Sequence, residues 1–192
     1  MSVAAVVHHL LPDAEIGGSP CPPVDHNEMV RDVEKVFSAA ETGRTGSEWQ
    51  AVHAADLNLA DIGDGRTPDL LVVDGGTLVE ARKQRTRHLL PAQVVMVMEV
   101  TSRGNAVDEL PHPGTLRSPL TTGSRYARSG IPHYLLVDRD PRVARVLLYA
   151  DPDREQGTYG MLAGVWDFGQ TVELPEPFGV EISTKLWEPW QI

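Results

Sequence analysis

The segment that most constrains this chain is Val94-Val95-Met96-Val97-Met98-Glu99-Val100. Its apolar side chains do not alternate with polar ones, so it reads as a central strand covered on both faces. Glu99 breaks the run. An ionised carboxylate removed from water costs several kcal/mol unless a cation or hydrogen bonds compensate it, and an acid among valines and methionines therefore needs a partner.

The surrounding sequence supplies the other layers. From Asp25, the positions Met29, Val30, Val33, Val36, Phe37 and Ala40 recur at helical spacing, with Asp25 or Asn27 as caps and Gly43 as a stop. Before it, prolines and glycines between residues 12 and 24 prevent regular helix and mark an extended lead-in. The expected organisation is thus a lead-in over 1–24 and one domain over 25–192, a length that can bury a sizeable core. Trp49 to Leu59 suggest one or two short strands, and Asp69-Leu-Leu-Val-Val-Asp74 another, closed by a Gly75-Gly76 turn. A short helix around Thr122 to Ser129 stops at Gly130 and leads into a strand at His133 to Asp138. Further strands are expected at Val143–Tyr149, Tyr159–Val165 and Thr171–Leu174. Residues 103 to 120, rich in proline and glycine, read as a long irregular loop.

A second acid, Asp69, follows Pro68 at the start of its apolar strand. If the two strands are neighbours, two carboxylates about 4 Å apart repel by roughly 4 kcal/mol at an effective dielectric near 20. A divalent cation turns that repulsion into binding, and magnesium suits such a site because it takes oxygen ligands while keeping waters. The competing structural reading has Asp69 capping a strand and Glu99 pairing with an arginine.

Three segments carry a family resemblance: Pro68-Asp69; Met98-Glu99-Val100-Thr101-Ser102; and Tyr126-Ala127-Arg128-Ser129-Gly130-Ile131-Pro132-His133-Tyr134-Leu135-Leu136-Val137-Asp138. In order and spacing they resemble the Uma-two family of restriction-endonuclease-like proteins, within the PD-(D/E)XK nuclease superfamily. A weaker likeness runs from the lead-in and the His26 helix to the strand-rich end around Leu174–Phe178. The resemblance implies an α/β fold, a mixed central β-sheet flanked by α-helices with extra C-terminal strands. It further implies Asp69 and Glu99 as metal ligands, the Val100 carbonyl as a third, and Mg²⁺ or Mn²⁺ as the ion.

In the superfamily a lysine near these acids stabilises charge developing on the phosphate, which any close positive group can do. Here the position two after Glu99 is Thr101, and the alternative position, four before Tyr126, is Thr122. Lysine occurs only at 35, 83 and 185. Arg125 on the short helix could hold a phosphate, although arginine stays protonated and cannot act as a neutral base. His112 could act near neutral pH or bind metal. Lys83 would have to reach in from outside. Glu28 is an accessory acid or a solvent-facing one; Tyr126, Tyr134 and His133 read as structural.

Seventeen basic against twenty-seven acidic residues give a net charge of -10, so a phosphate backbone is repelled at long range and a nucleic-acid role needs a local basic patch. Residues 80 to 88 contain the only such concentration, and Arg82, Lys83, Arg85 and Arg87 are the expected backbone contacts. One cysteine, Cys21, points to a reducing cytoplasm, and no leader or bilayer-spanning stretch is read. Phosphate-binding glycine loops, nucleophile elbows and zinc histidine pairs are absent. Two functions follow. The first is a metal-dependent phosphodiesterase acting on DNA, impaired by the missing lysine. The second is a repurposed nuclease fold that serves as a binding module or a small-molecule enzyme, with loop 103–120 shaping a ligand pocket. A homodimer is what related nucleases suggest.

Overall fold

The computed structural model describes residues 24–43, 49–106, 108–109 and 120–191. Helix α1 (Val24–Gly43) presents Met29, Val30, Val33 and Phe37 to the core. Strand β1 (Trp49–His53) is followed by a small hairpin, β2 (Leu57–Leu59) with β3 (Asp64–Arg66). Strand β4 (Leu70–Asp74) leads into helix α2 (Gly75–Gln84), and β5 (Val94–Val100) is the apolar run. Helix α3 (Thr122–Ser129) precedes β6 (His133–Asp138), and then come β7 (Arg145–Asp153), β8 (Thr158–Asp167), β9 (Thr171–Leu174) and β10 (Val180–Ser183).

Six strands form one mixed sheet in the order β1-β4-β5-β6-β7-β8. Only β5 and β6 run parallel, and the connection between them carries α3, as a parallel crossover requires. Each face has its own core. Leu70, Val72, Met96, Met98 and Val100 pack with α1 and with the β9–β10 hairpin. Leu71, Val73 and Val97 pack with Tyr126 and Ile131 at α3 and with Leu57 and Leu59 of β2, while Leu78 and Ala81 of α2 lean on the same cluster. Two-sided coverage explains why β5 has no polar alternation.

Three expectations need correction. Gly75-Gly76 is the first turn of α2 and not a hairpin turn: Asp74, in extended conformation, caps the helix by accepting from the amides of Gly76 and Thr77. A Cβ at Gly76 would lie 2.8 Å from Asp74 Oδ1, so the cap needs glycine there. Strands β7 and β8 run farther than the sequence suggested, and β7 starts later, because Val143 and Ala144 turn back onto the carbonyl of Asp140. The lead-in and most of the 103–120 loop lie outside the described residues.

Candidate active site

Antiparallel pairing of β4 with β5 sets the site. Leu70 is opposite Met98, so one step nearer the strand end Asp69 comes opposite Glu99. The amide of Asp69 lies 3.4 Å from Glu99 Oε2, and the amide of Val100 donates to Asp69 Oδ2 at 2.8 Å. The two carboxylates share one end of the sheet, as the sequence reading required. Among the described residues no guanidinium pairs with Glu99; the hydroxyl of Tyr126, on α3, donates to its Oε1.

Asp69 has a second partner. His26, 5% exposed on α1, lies with Nε2 2.9 Å from Asp69 Oδ1. Alpha-helix α1 therefore contributes a histidine to the acid pair, while Glu28 is exposed and pairs with Arg31. Metal-binding carboxylates are commonly oriented by such hydrogen bonds.

A third acid completes the cluster. Glu109 is 7% exposed, and its Oε2 is buried without a hydrogen-bond partner. Thr122, at the alternative lysine position, hydrogen-bonds the Glu109 carboxyl. Burial first, then the negative charge of Asp69, pushes Glu109 up to about 7. Glu99 is raised well above the ordinary carboxylate range by desolvation, and next by Glu109 and Asp69; the bonds from Tyr126 and the Asp69 amide only partly offset this. Burial raises Tyr126 as well, with Glu99 adding to it. An acidic cluster, two of its three members desolvated, is thus held by backbone amides, one histidine, one tyrosine and one threonine.

The remaining candidates fall elsewhere. Thr101 is 1% exposed, and its hydroxyl donates to Asp138 and accepts from the Arg139 amide, which makes it a tie between the ends of β5 and β6. Arg125 pairs with Asp64 on β3. Arg82 and Lys83 lie in the last turn of α2, Arg85 caps it at φ 52°, and Arg87 follows; all four are exposed, with Lys83 3.7 Å from Glu80. His133 is structural, with Nδ1 3.1 Å from the Val95 carbonyl. Tyr134 donates to the Glu109 backbone carbonyl at 2.7 Å. His112 lies outside the described residues.

Sequence reasoning missed Glu109, the Asp69 contact of His26, and Arg66. The positive charge of Arg66 draws both Glu109 and Tyr126 down against the burial that raises them. Its place three residues before Asp69 was the available signal.

Two comparisons bear on this arrangement. The model of a family described as "Uma2: Putative restriction endonuclease" matches residues 7–185. The crystal structure of a putative nuclease belonging to DUF820 from Anabaena variabilis ATCC 29413 is similar with a TM-score of 0.56 and 16% identity, over 86% of this chain and 81% of that one. It shows the shared nuclease fold. No curated protein matches.

Proposed function

Because the chain belongs to the Uma2 family of putative restriction endonucleases, we propose that it is a metal-dependent phosphodiesterase acting on DNA, centred on Asp69 and Glu99. Family and fold are both of nuclease type. The observation that carries the reading is the apposition of two carboxylates on adjacent strands, in a setting that desolvates Glu99 and brings Glu109 within electrostatic reach.

The donor set fits a small hard cation. It consists of oxygens that repel one another, and Glu109 Oε2 has no partner of its own. Asp69 and Glu99 would hold the ion, with the Val100 carbonyl at the end of β5 as third ligand. Mg²⁺ or Mn²⁺, which one or two carboxylates suffice to bind, would supply Lewis-acid polarisation of a phosphodiester. The chain's own residues do the positioning. His26 and the Val100 amide fix both oxygens of Asp69. Tyr126 orients Glu99, and the apolar cores on either side of the sheet keep the carboxylates partly dry, which strengthens every charge interaction there. Arg82, Lys83, Arg85 and Arg87 are the backbone contacts in this reading, and the lone cysteine supports a reducing, cytoplasmic setting.

One observation favours the repurposed reading. Among the described residues, no three His, Cys, Asp or Glu side chains are grouped so as to hold a metal ion. The threonines at 101 and 122 add to it.

Supercoiled plasmid separates the two. The wild-type protein should nick it with Mg²⁺ or Mn²⁺ and not in EDTA, and Glu99→Gln should lose the activity. Calorimetric titration that finds no Mn²⁺ binding to the wild type would overturn the metal centre.

A further inference from the structure

A cleft of about 540 Å³ opens between the β2–β3 hairpin and the end of the basic segment. Asn58, Arg66, Thr67 and His88 line it, with Asp56 at its wall. Arg66 ends β3 three residues before Asp69, so the cleft and the acid pair share one short stretch of chain.

The cleft presents a guanidinium, that of Arg66, in a chain that is acidic overall. Arg66 Nε is buried without a hydrogen-bond partner and lies 3.5 Å from Asp64 Oδ2, the oxygen that also accepts from Arg125. One carboxylate is thus shared by two guanidiniums, and Asp56 is the other acid at the cleft. Burial pushes Asp64 up, but the Gly65 amide and the two arginines outweigh it and hold the group ionised, below its ordinary range. Asn58 Nδ2 lies 3.3 Å from His88 Nε2, and the exposed Arg82, Lys83, Arg85 and Arg87 precede that histidine in the chain. The acid at the wall, Asp56, has Oδ1 engaged by the Thr67 hydroxyl at 2.7 Å.

We propose that this cleft is a DNA phosphate subsite, in which Arg66 binds the backbone phosphate adjoining the one presented to Asp69 and Glu99. The proposal rests on the reading of those acids as a phosphodiesterase centre. Arg66 then supplies the positive charge that neither Thr101 nor Thr122 can, and its planar fork suits a phosphate better than a point charge does. A strand laid along the basic segment passes His88, crosses the cleft at Arg66 and arrives at Asp69.

Binding is measured by fluorescence anisotropy with a labelled duplex DNA in EDTA, over a series of salt concentrations. Arg66→Gln should weaken binding roughly tenfold, the loss of one charge-assisted contact. It should also lower the slope of log affinity against log salt by about one. Arg66→Lys should recover most of the slope. Asp56→Asn, an exposed change that keeps the oxygen facing Thr67, should tighten binding and guards against a folding defect in the arginine variants. Wild-type affinity and slope in a folded Arg66→Gln protein would overturn the subsite, as would a wild type that fails to bind DNA at low salt. No cleavage occurs in EDTA, so Arg66-dependent binding by a protein that never nicks plasmid would uphold the subsite and sink the phosphodiesterase reading alone.

Discussion

Replacing Glu109 with glutamine should stabilise the protein, and only above the acid range. The carboxyl of Glu109 is raised from 4.5 to about 7, first by burial and then by Asp69. The folded protein therefore retains a proton that the unfolded chain releases between those two values. Stability from this group is complete below pH 4.5 and declines as pH rises to 7. The gap corresponds to about 3 kcal/mol, at 1.36 kcal/mol for each pH unit. That figure is an upper end, because Asp69 and Glu99 share the repulsion. Glutamine is neutral throughout and can still accept the bond from Thr122. Urea unfolding of wild type and Glu109→Gln in chelator should give nearly equal stabilities at about pH 4.5 and a variant advantage of up to about 3 kcal/mol at about pH 8. An offset that does not change with pH, or a variant that is weaker at about pH 8, would refute the argument. Added Mn²⁺ should narrow the difference if a cation relieves the same repulsion.

Two further substitutions separate the site from the scaffold. Tyr126→Phe leaves Glu99 Oε1 without its donor and should cost about 1–3 kcal/mol in the same unfolding titrations, together with a fall in plasmid nicking. Asp74→Ala removes the cap of α2 at the opposite end of β4 from Asp69; it should cost about 1 kcal/mol and leave nicking unchanged.

Sequence and structure agree where local pattern and tertiary environment point the same way. Strands β5 and β6 were legible because they are buried on both faces, and two-sided burial selects the unbroken apolar runs by which such strands are read. Helix α3 was legible from its stop at Gly130, which takes φ 75°. Helix α2 was missed because its amphipathic signal is weak: no residue of it is buried, and its start is two glycines, which usually mark turns. The cap that overrides them depends on Asp74, whose dihedral angles no pattern displays. His26 was placed on the correct helix, but a contact 43 residues away in sequence with Asp69 leaves no periodic trace.

The site was legible in proportion to the contrast between each residue and its neighbours. Glu99 stands out because the side chains around it are apolar, and the same surroundings that expose it in the sequence desolvate it in the fold and give its carboxyl chemical leverage. Glu109 shares that desolvation but follows Asp108 in a loop of mixed polarity, so the sequence offers no contrast by which to single it out. Arg66 is harder still. Guanidinium groups remain charged in nearly any environment, so an arginine beside the acids looks in sequence like any other arginine of the chain. Only the fold brings Arg66 within electrostatic reach of Glu109 and Tyr126. Acids of a site like this one can be sought from sequence as misfits in apolar strands, whereas the cation that balances them has to be located by geometry.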